Sequence, residues 1–347
     1  DEFTFENVER VAQAYADYIN QPAQIGGDNK AFEGSNARAH ALTDARPQVV
    51  VGYDRRFLSK EFAARASEVL SGNAIDVSLF DEDVPTPLVS WAVRELGAAG
   101  GVVVTASHNP ATFNGFKIKA PCGGSATAET TTVVESLVDA NAPRRTPLHA
   151  DTSAKLAGQI AGYGEQVAGY VDLESIRSKS ARVVIDPMHG SGGRWVESFL
   201  SGGRIEAESI RAVRDPLFGG IAPEPIDRNL APLKRRVKDA CALVGLATDG
   251  DADRVGAVNE LGETMTMHEV VPVILLHLAR CRKMTGGIVR TFSQSVLLKR
   301  IAAAHNFPLY ETPIGFKYIA DLMLREDILI GAEESGGIGV RGHIPER

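Results

Sequence analysis

Gly101-Val102-Val103-Val104-Thr105-Ala106-Ser107-His108-Asn109-Pro110 decides the fold. Three consecutive valines suit a short parallel strand buried on both faces. Pro110 cannot donate to a ladder, so the strand has ended by that point. A serine and a histidine then stand at the strand's carboxyl end, where ligands bind in open α/β sheets. Ser-His-Asn-Pro by itself also reads as a polar turn, because adjacent side chains need not face each other.

Upstream, Phe5, Val8, Ala12, Tyr15 and Ile19 fall at helical spacing, with Thr4 as N-cap and Phe3 and Val8 as a hydrophobic staple. Val49-Val50-Val51 reads as a strand, followed by Gly52-Tyr53-Asp54-Arg55-Arg56 and a helix from about Ser59 to Leu70. A second strand, Ala74 to Phe80, precedes a helix capped by Thr86, with Pro87 at its first position and Gly97 beyond its end. Alternating strand and helix predict βαβ units on a mostly parallel sheet. Residues 140–162, rich in Ala, Pro, Thr and Arg, read as a connecting stretch with a short helix.

Two further α/β patterns follow. One holds the strand Arg182 to Asp186, a helix through Leu230, Leu233, Val237 and Ala240, and the strand Ala242 to Ala247. The other runs from a helix at His268–Cys281 through strand Ile288–Thr291, helix Ser293–His305, strand Leu309–Thr312, helix Tyr318–Arg325 and strand Ile328–Ile330. Three such units in series suggest a repeated domain.

Composition sets bounds. The 347 residues are enough for two or three domains, and 44% are hydrophobic. A net charge of -7 gives no reason to expect nucleic acid as a partner. No apolar run reaches the length of a membrane span, and no charged-then-apolar leader opens the sequence as given. Cys122, Cys241 and Cys281 are odd in number and lack metal spacing, which suits a reducing cytoplasm.

Two more loops carry chemistry. Thr248-Asp249-Gly250-Asp251-Ala252-Asp253-Arg254 lies between apolar runs. Three carboxylates within five residues repel one another unless a cation or solvent intervenes, and hard oxygen donors favour Mg²⁺. The stretch lacks the further ligands and closing Glu of an EF-hand, while a surface acidic turn stays open as a reading. Glu333-Glu334-Ser335-Gly336-Gly337 follows the last apolar strand. It is suited to hydrogen-bonding a hydroxylated ligand, though an ordinary turn would have the same composition.

Taken together, the Thr105–Pro110 string, the Asp-Gly-Asp-Ala-Asp-Arg loop and the Glu-Glu-Ser-Gly-Gly loop resemble, in the same order, those of the α-D-phosphohexomutases. Asp186-Pro187-Met188-His189-Gly190 and Asp215-Pro216-Leu217-Phe218-Gly219-Gly220 extend the resemblance over essentially the whole chain. It implies three related α/β domains with mixed, mostly parallel sheets around a central active-site cleft: residues 1–170, 171–267 and 268–347. It also implies phosphate carried on Ser107, and Mg²⁺ held by Asp249, Asp251 and Asp253 with a Ser107 phosphate oxygen. Arg254 would lie beside the transferring group. Lys117, in Asn114-Gly115-Phe116-Lys117, would be the general base and acid, assisted by His108. Glu333 and Ser335 would hold sugar hydroxyls, and Arg56, Lys317 and Arg347 would be further substrate contacts.

Gly315-Phe316-Lys317 and the Gly336-Gly337 ending resemble bacterial phosphoglucomutases, whereas phosphomannomutase and phosphoglucosamine mutase relatives usually have Gly-His there. The resemblance thus implies a cytoplasmic phosphoglucomutase acting on hexose phosphates through glucose 1,6-bisphosphate. A phosphomannomutase or dual-specificity enzyme is the near alternative, and a non-catalytic phosphosugar-binding protein the distant one. The family's opening Gly-rich arginine segment and its fourth domain have no counterpart in the sequence as given, so a fragment is expected. Oligomeric state is not legible.

Overall fold

The computed structural model describes residues 2–21, 46–148 and 152–346. It divides into two compact units: Asp1–Ala106 with Pro110–Val167, and Ser107–Asn109 with Ala168–Arg347.

The first unit opens on the helix Phe5–Ile19, capped as expected by the Thr4 hydroxyl, which accepts from Asn7 N. Val8, Ala12 and Tyr15 on its inner face are buried, and Phe3 sets its ring edge-on against Phe62. Strands β1 (Gln48–Tyr53), β2 (Asp76–Leu79), β3 (Gly100–Val104) and β4 (Phe116–Lys119) form one sheet in the order β2-β1-β3-β4. The first three run parallel and β4 runs antiparallel to β3. Val49–Val51 and Val102–Val104 are fully buried. Each such side chain contributes about 1.5–3 kcal/mol on leaving water, so the valine runs fix the centre of the sheet.

The second unit carries two sheets. One orders β5 (Arg182–Asp186), β6 (Glu206–Ser209), β7 (Val244–Thr248), β8 (Val255–Asn259) and β9 (Thr264–Met265) as β6-β5-β7-β8-β9. The other orders β10 (Gly287–Thr291), β11 (Leu309–Thr312), β12 (Ile328–Ala332) and β13 (Ile338–Val340) as β11-β10-β12-β13. All three sheets share one plan: second strand, first, third, then an antiparallel fourth. The repeat that the sequence suggests is therefore a repeat of topology.

Three local expectations change. The helix after β2 starts at Thr86, with Pro85 in the N-cap seat; its extended backbone (φ -57, ψ 139) takes that position without a side-chain cap. The connector around 140–162 is half helix, because Ala154–Tyr170 forms a 17-residue helix that buries Leu156 and Tyr163. The short antiparallel strands β4 and β13 add to the expected set, since their few residues show no run long enough to carry a period.

Candidate active site

β7 and β8 are antiparallel and pair Thr248 with Val255, so residues 249–254 form a six-residue loop at the carboxyl end of β7. The ligand atoms of Asp249, Asp251 and Asp253 all lie within 4.8 Å of one another, and all three residues are buried. Backbone explains the curl. Asp249 Oδ1 accepts from the peptide nitrogens of Asp253 (3.0 Å) and Arg254 (3.1 Å), and Ala252 turns through φ 57. Three buried carboxylates this close repel one another, and a bound cation would offset that cost. The donor set is all hard oxygen, which fits Mg²⁺.

Ser107 joins this loop. Its Oγ donates to Asp249 Oδ2 at 2.9 Å. Its backbone is left-handed (φ 51), which costs a non-glycine residue about 1 kcal/mol or more and is found where the surroundings enforce it. The close approach requires Gly250: a Cβ there would stand 2.5 Å from the Ser107 carbonyl oxygen.

Beneath lies the turn after β5. Ser191 N donates to Gly250 O at 3.0 Å, and a Cβ on Gly190 would stand 2.7 Å from that same oxygen. The Asp186–Gly190 motif is thus the floor of the acidic loop. Asp186, fully buried, accepts from Met188 N and takes both ends of the Arg211 guanidinium.

His108 and Arg254 flank the cluster. Burial pushes the His108 imidazole below its ordinary value, and Arg254 adds to this; Glu224, Asp253 and Asp251 push it back up. Among the described residues His108 Nδ1 and Arg254 Nε are buried without a hydrogen-bond partner, with Arg254 Nε 3.9 Å from Asp253 Oδ1.

The Glu333–Gly337 loop joins β12 to antiparallel β13. Gly336, at φ 95, accepts from Val255 N at 3.2 Å, so this loop is tied to the residue after Arg254. Glu333 is buried and accepts from Gly315 N (2.8 Å) and Ser335 Oγ (3.2 Å). Gly315 opens the helix Phe316–Arg325, which puts Lys317 at its start, exposed, with Nζ 5.0 Å from the Tyr318 ring centre. Glu334, unassigned from the sequence, accepts from Thr291 Oγ1 (2.9 Å) and Ser293 Oγ (2.6 Å).

In the first unit, Lys117 sits on β4 opposite Val103. Arg56 is enclosed within its own unit. It is 1% exposed, pairs with buried Asp54 at 3.0 Å, and donates to the carbonyls of Pro110 and Phe113. Asp54 also takes the hydroxyls of Ser59 and Thr105. The Arg56 guanidinium thus holds the chain after residue 109, and Asp54 holds it before residue 107 through the Thr105 hydroxyl. Arg347 lies outside the described residues.

Comparison with known proteins agrees with this arrangement. Three family models match: phosphoglucomutase/phosphomannomutase alpha/beta/alpha domain I at residues 29–145, domain II at 161–262 and domain III at 267–347. The chain belongs to the α-D-phosphohexomutase family. Among phosphohexomutases, a phosphoglucomutase/phosphomannomutase of Thermococcus kodakarensis is 32% identical over 297 residues, covering 84% of this chain and 64% of the relative. A phosphoglucosamine mutase of Bartonella tribocorum is 28% identical over 294 residues, with coverages of 84% and 64%. The crystal structure of a protein provisionally assigned as a phosphomannomutase, from Thermus thermophilus, superposes with a TM-score of 0.84 at 35% identity, covering all of this chain and 74% of that one. The chain thus spans about two thirds of the length of the curated phosphohexomutases it matches. Among the described residues no helix is long and apolar enough to cross a membrane.

Proposed function

We propose that this chain carries the phosphoryl-transfer centre of a phosphohexomutase that interconverts glucose 1-phosphate and glucose 6-phosphate through phosphorylated Ser107. The carrying observation is the 2.9 Å hydrogen bond from Ser107 Oγ into the buried triad of Asp249, Asp251 and Asp253. Mg²⁺ held by those carboxylates and a Ser107 oxygen would offset charge on the transferring group. In the forward step a sugar hydroxyl oxygen bonds to phosphorus as the bond to Ser107 Oγ breaks. The hydroxyl proton would pass to Lys117 or His108, and that group would return a proton to Ser107 Oγ as it departs. Arg254, whose Nε has no hydrogen-bond partner among the described residues, would meet a phosphoryl oxygen. Glu333 and Ser335 would hold sugar hydroxyls, with Lys317 near the same loop. The bisphosphate then turns over and returns its other phosphate to Ser107.

Gly336-Gly337 favours glucose as the hexose. The names of the relatives support mannose and glucosamine phosphates as a second reading. Incubation with glucose 1,6-bisphosphate and Mg²⁺, followed by intact-mass analysis, tests the covalent step. One phosphate on Ser107 is expected, and none would overturn it. Rates with glucose, mannose and glucosamine 1-phosphates then rank the sugars.

A further inference from the structure

We propose that Glu224 is a positioning residue that holds the His108 imidazole beside Ser107. The proposal rests on the phosphotransfer reading above. Glu224 Oε1 stands 3.9 Å from His108 Nε2. A closure of about 1 Å makes this a hydrogen bond, and such contacts are commonly long before substrate binds. A carboxylate facing Nε2 fixes the rotation of the ring and favours the tautomer with the proton on that nitrogen. Nδ1, on the other side of the ring, is buried without a hydrogen-bond partner among the described residues, so Nε2 is the ring nitrogen that Glu224 can hold.

Glu224 is itself held. Pro223 O accepts from Gly250 N at 3.1 Å, which ties its loop to the metal-binding turn. Asn229 Nδ2 donates to the carbonyls of Ala222 (3.2 Å) and Glu224 (2.9 Å). Arg211, locked on buried Asp186, reaches Asn229 O at 3.3 Å. Arg228 lies 3.7 Å from the other Glu224 oxygen and orients the carboxylate from outside. The Asp186 and Asn229 segments thereby also support one acidic side chain.

The test compares Glu224→Ala, Glu224→Gln and Glu224→Asp with the parent. Three quantities are read: the single-turnover rate of Ser107 phosphorylation by glucose 1,6-bisphosphate, Mg²⁺ affinity by calorimetry, and carbethoxylation of His108 by diethyl pyrocarbonate. The Ala and Gln variants should transfer about 10–100-fold more slowly, with Mg²⁺ affinity within about twofold and His108 modified about threefold faster. Asp should recover part of both changes. Unchanged His108 modification overturns the proposal, as does an equal loss of Mg²⁺ affinity in all three variants. If parental Ser107 takes up no phosphate, the phosphotransfer reading fails, and the His108 modification rates alone decide whether Glu224 positions the ring.

Discussion

Ser107 Oγ donates a 2.9 Å hydrogen bond to Asp249 Oδ2, although 142 positions separate the two residues. Asp249 spends its other oxygen on two peptide nitrogens of its own loop. The carboxylate therefore joins the shape of the acidic turn to the position of the hydroxyl. A group proposed to carry phosphate is already seated against the carboxylates proposed to hold the cation that neutralises it.

Ser107→Ala should abolish phosphate uptake and lower any mutase turnover by roughly 10³-fold or more. Mg²⁺ should still bind, because three carboxylates remain. Intact mass and calorimetry on the same sample check both halves. A variant that keeps near-normal turnover removes the covalent mechanism.

Asp251→Asn should act in opposite directions with and without metal. Loss of a ligand lowers Mg²⁺ affinity, by about tenfold or more. In EDTA the same change should raise the melting temperature, because it relieves repulsion among buried carboxylates whose oxygens lie within 4.8 Å. Unchanged affinity together with an unchanged metal-free melting temperature would make the loop an ordinary turn.

The sequence displays the strands of this fold well and its braces poorly. Valine runs at 49–51 and 102–104 are visible because burial on both faces demands apolar residues without a break. The acidic loop is visible because three carboxylates in five residues are costly without a purpose. Arg56 gives no sign of its two carbonyl partners, since an arginine near a reactive loop looks the same on paper whatever it meets. Glu224 gives no signal beyond Pro223-Glu224-Pro225. Its meaning depends on His108, 116 positions away, and no local pattern encodes such a contact.

Arg56→Met should therefore be a stability variant. It leaves Asp54 buried without its cation, a loss of about 3–5 kcal/mol for a broken buried pair. Urea denaturation should show that loss. KM for the sugar phosphate should stay within about twofold of the parent under conditions where the variant is folded. A large rise in KM with unchanged stability would restore Arg56 to the substrate contacts.

Glu333→Gln should harm sugar-phosphate turnover more than Ser107 phosphorylation. The amide keeps one acceptor for Gly315 N but loses the charge that would strengthen hydrogen bonds from sugar hydroxyls. Equal loss in both assays would mean that Glu333 only shapes its loop.

Gly250→Ala tests whether the Ser107 contact is as tight as the geometry requires. The added Cβ would stand 2.5 Å from Ser107 O and 2.9 Å from Pro223 Cγ. The first neighbour is backbone and the second a ring, so neither can swing aside. Relief must come from a shift of the 107–109 turn or of the Pro223–Glu224 segment. Overpacking of this kind costs about 1–3 kcal/mol, and here it should also slow Ser107 phosphorylation, because the 107–109 turn carries the hydroxyl and Gly250 lies in the loop that receives it. Gly158→Ala is the control. It lies in the helix Ala154–Tyr170, and among the described residues nothing stands within 4 Å of its added Cβ. Alanine there should stabilise by about 0.5–1 kcal/mol through reduced freedom of the unfolded chain. Urea midpoints and phosphorylation rates of the two variants are compared side by side. If Gly250→Ala matches the control in both, Ser107 is held more loosely than its contacts imply, and the proposed pre-seating of its hydroxyl on Asp249 is wrong.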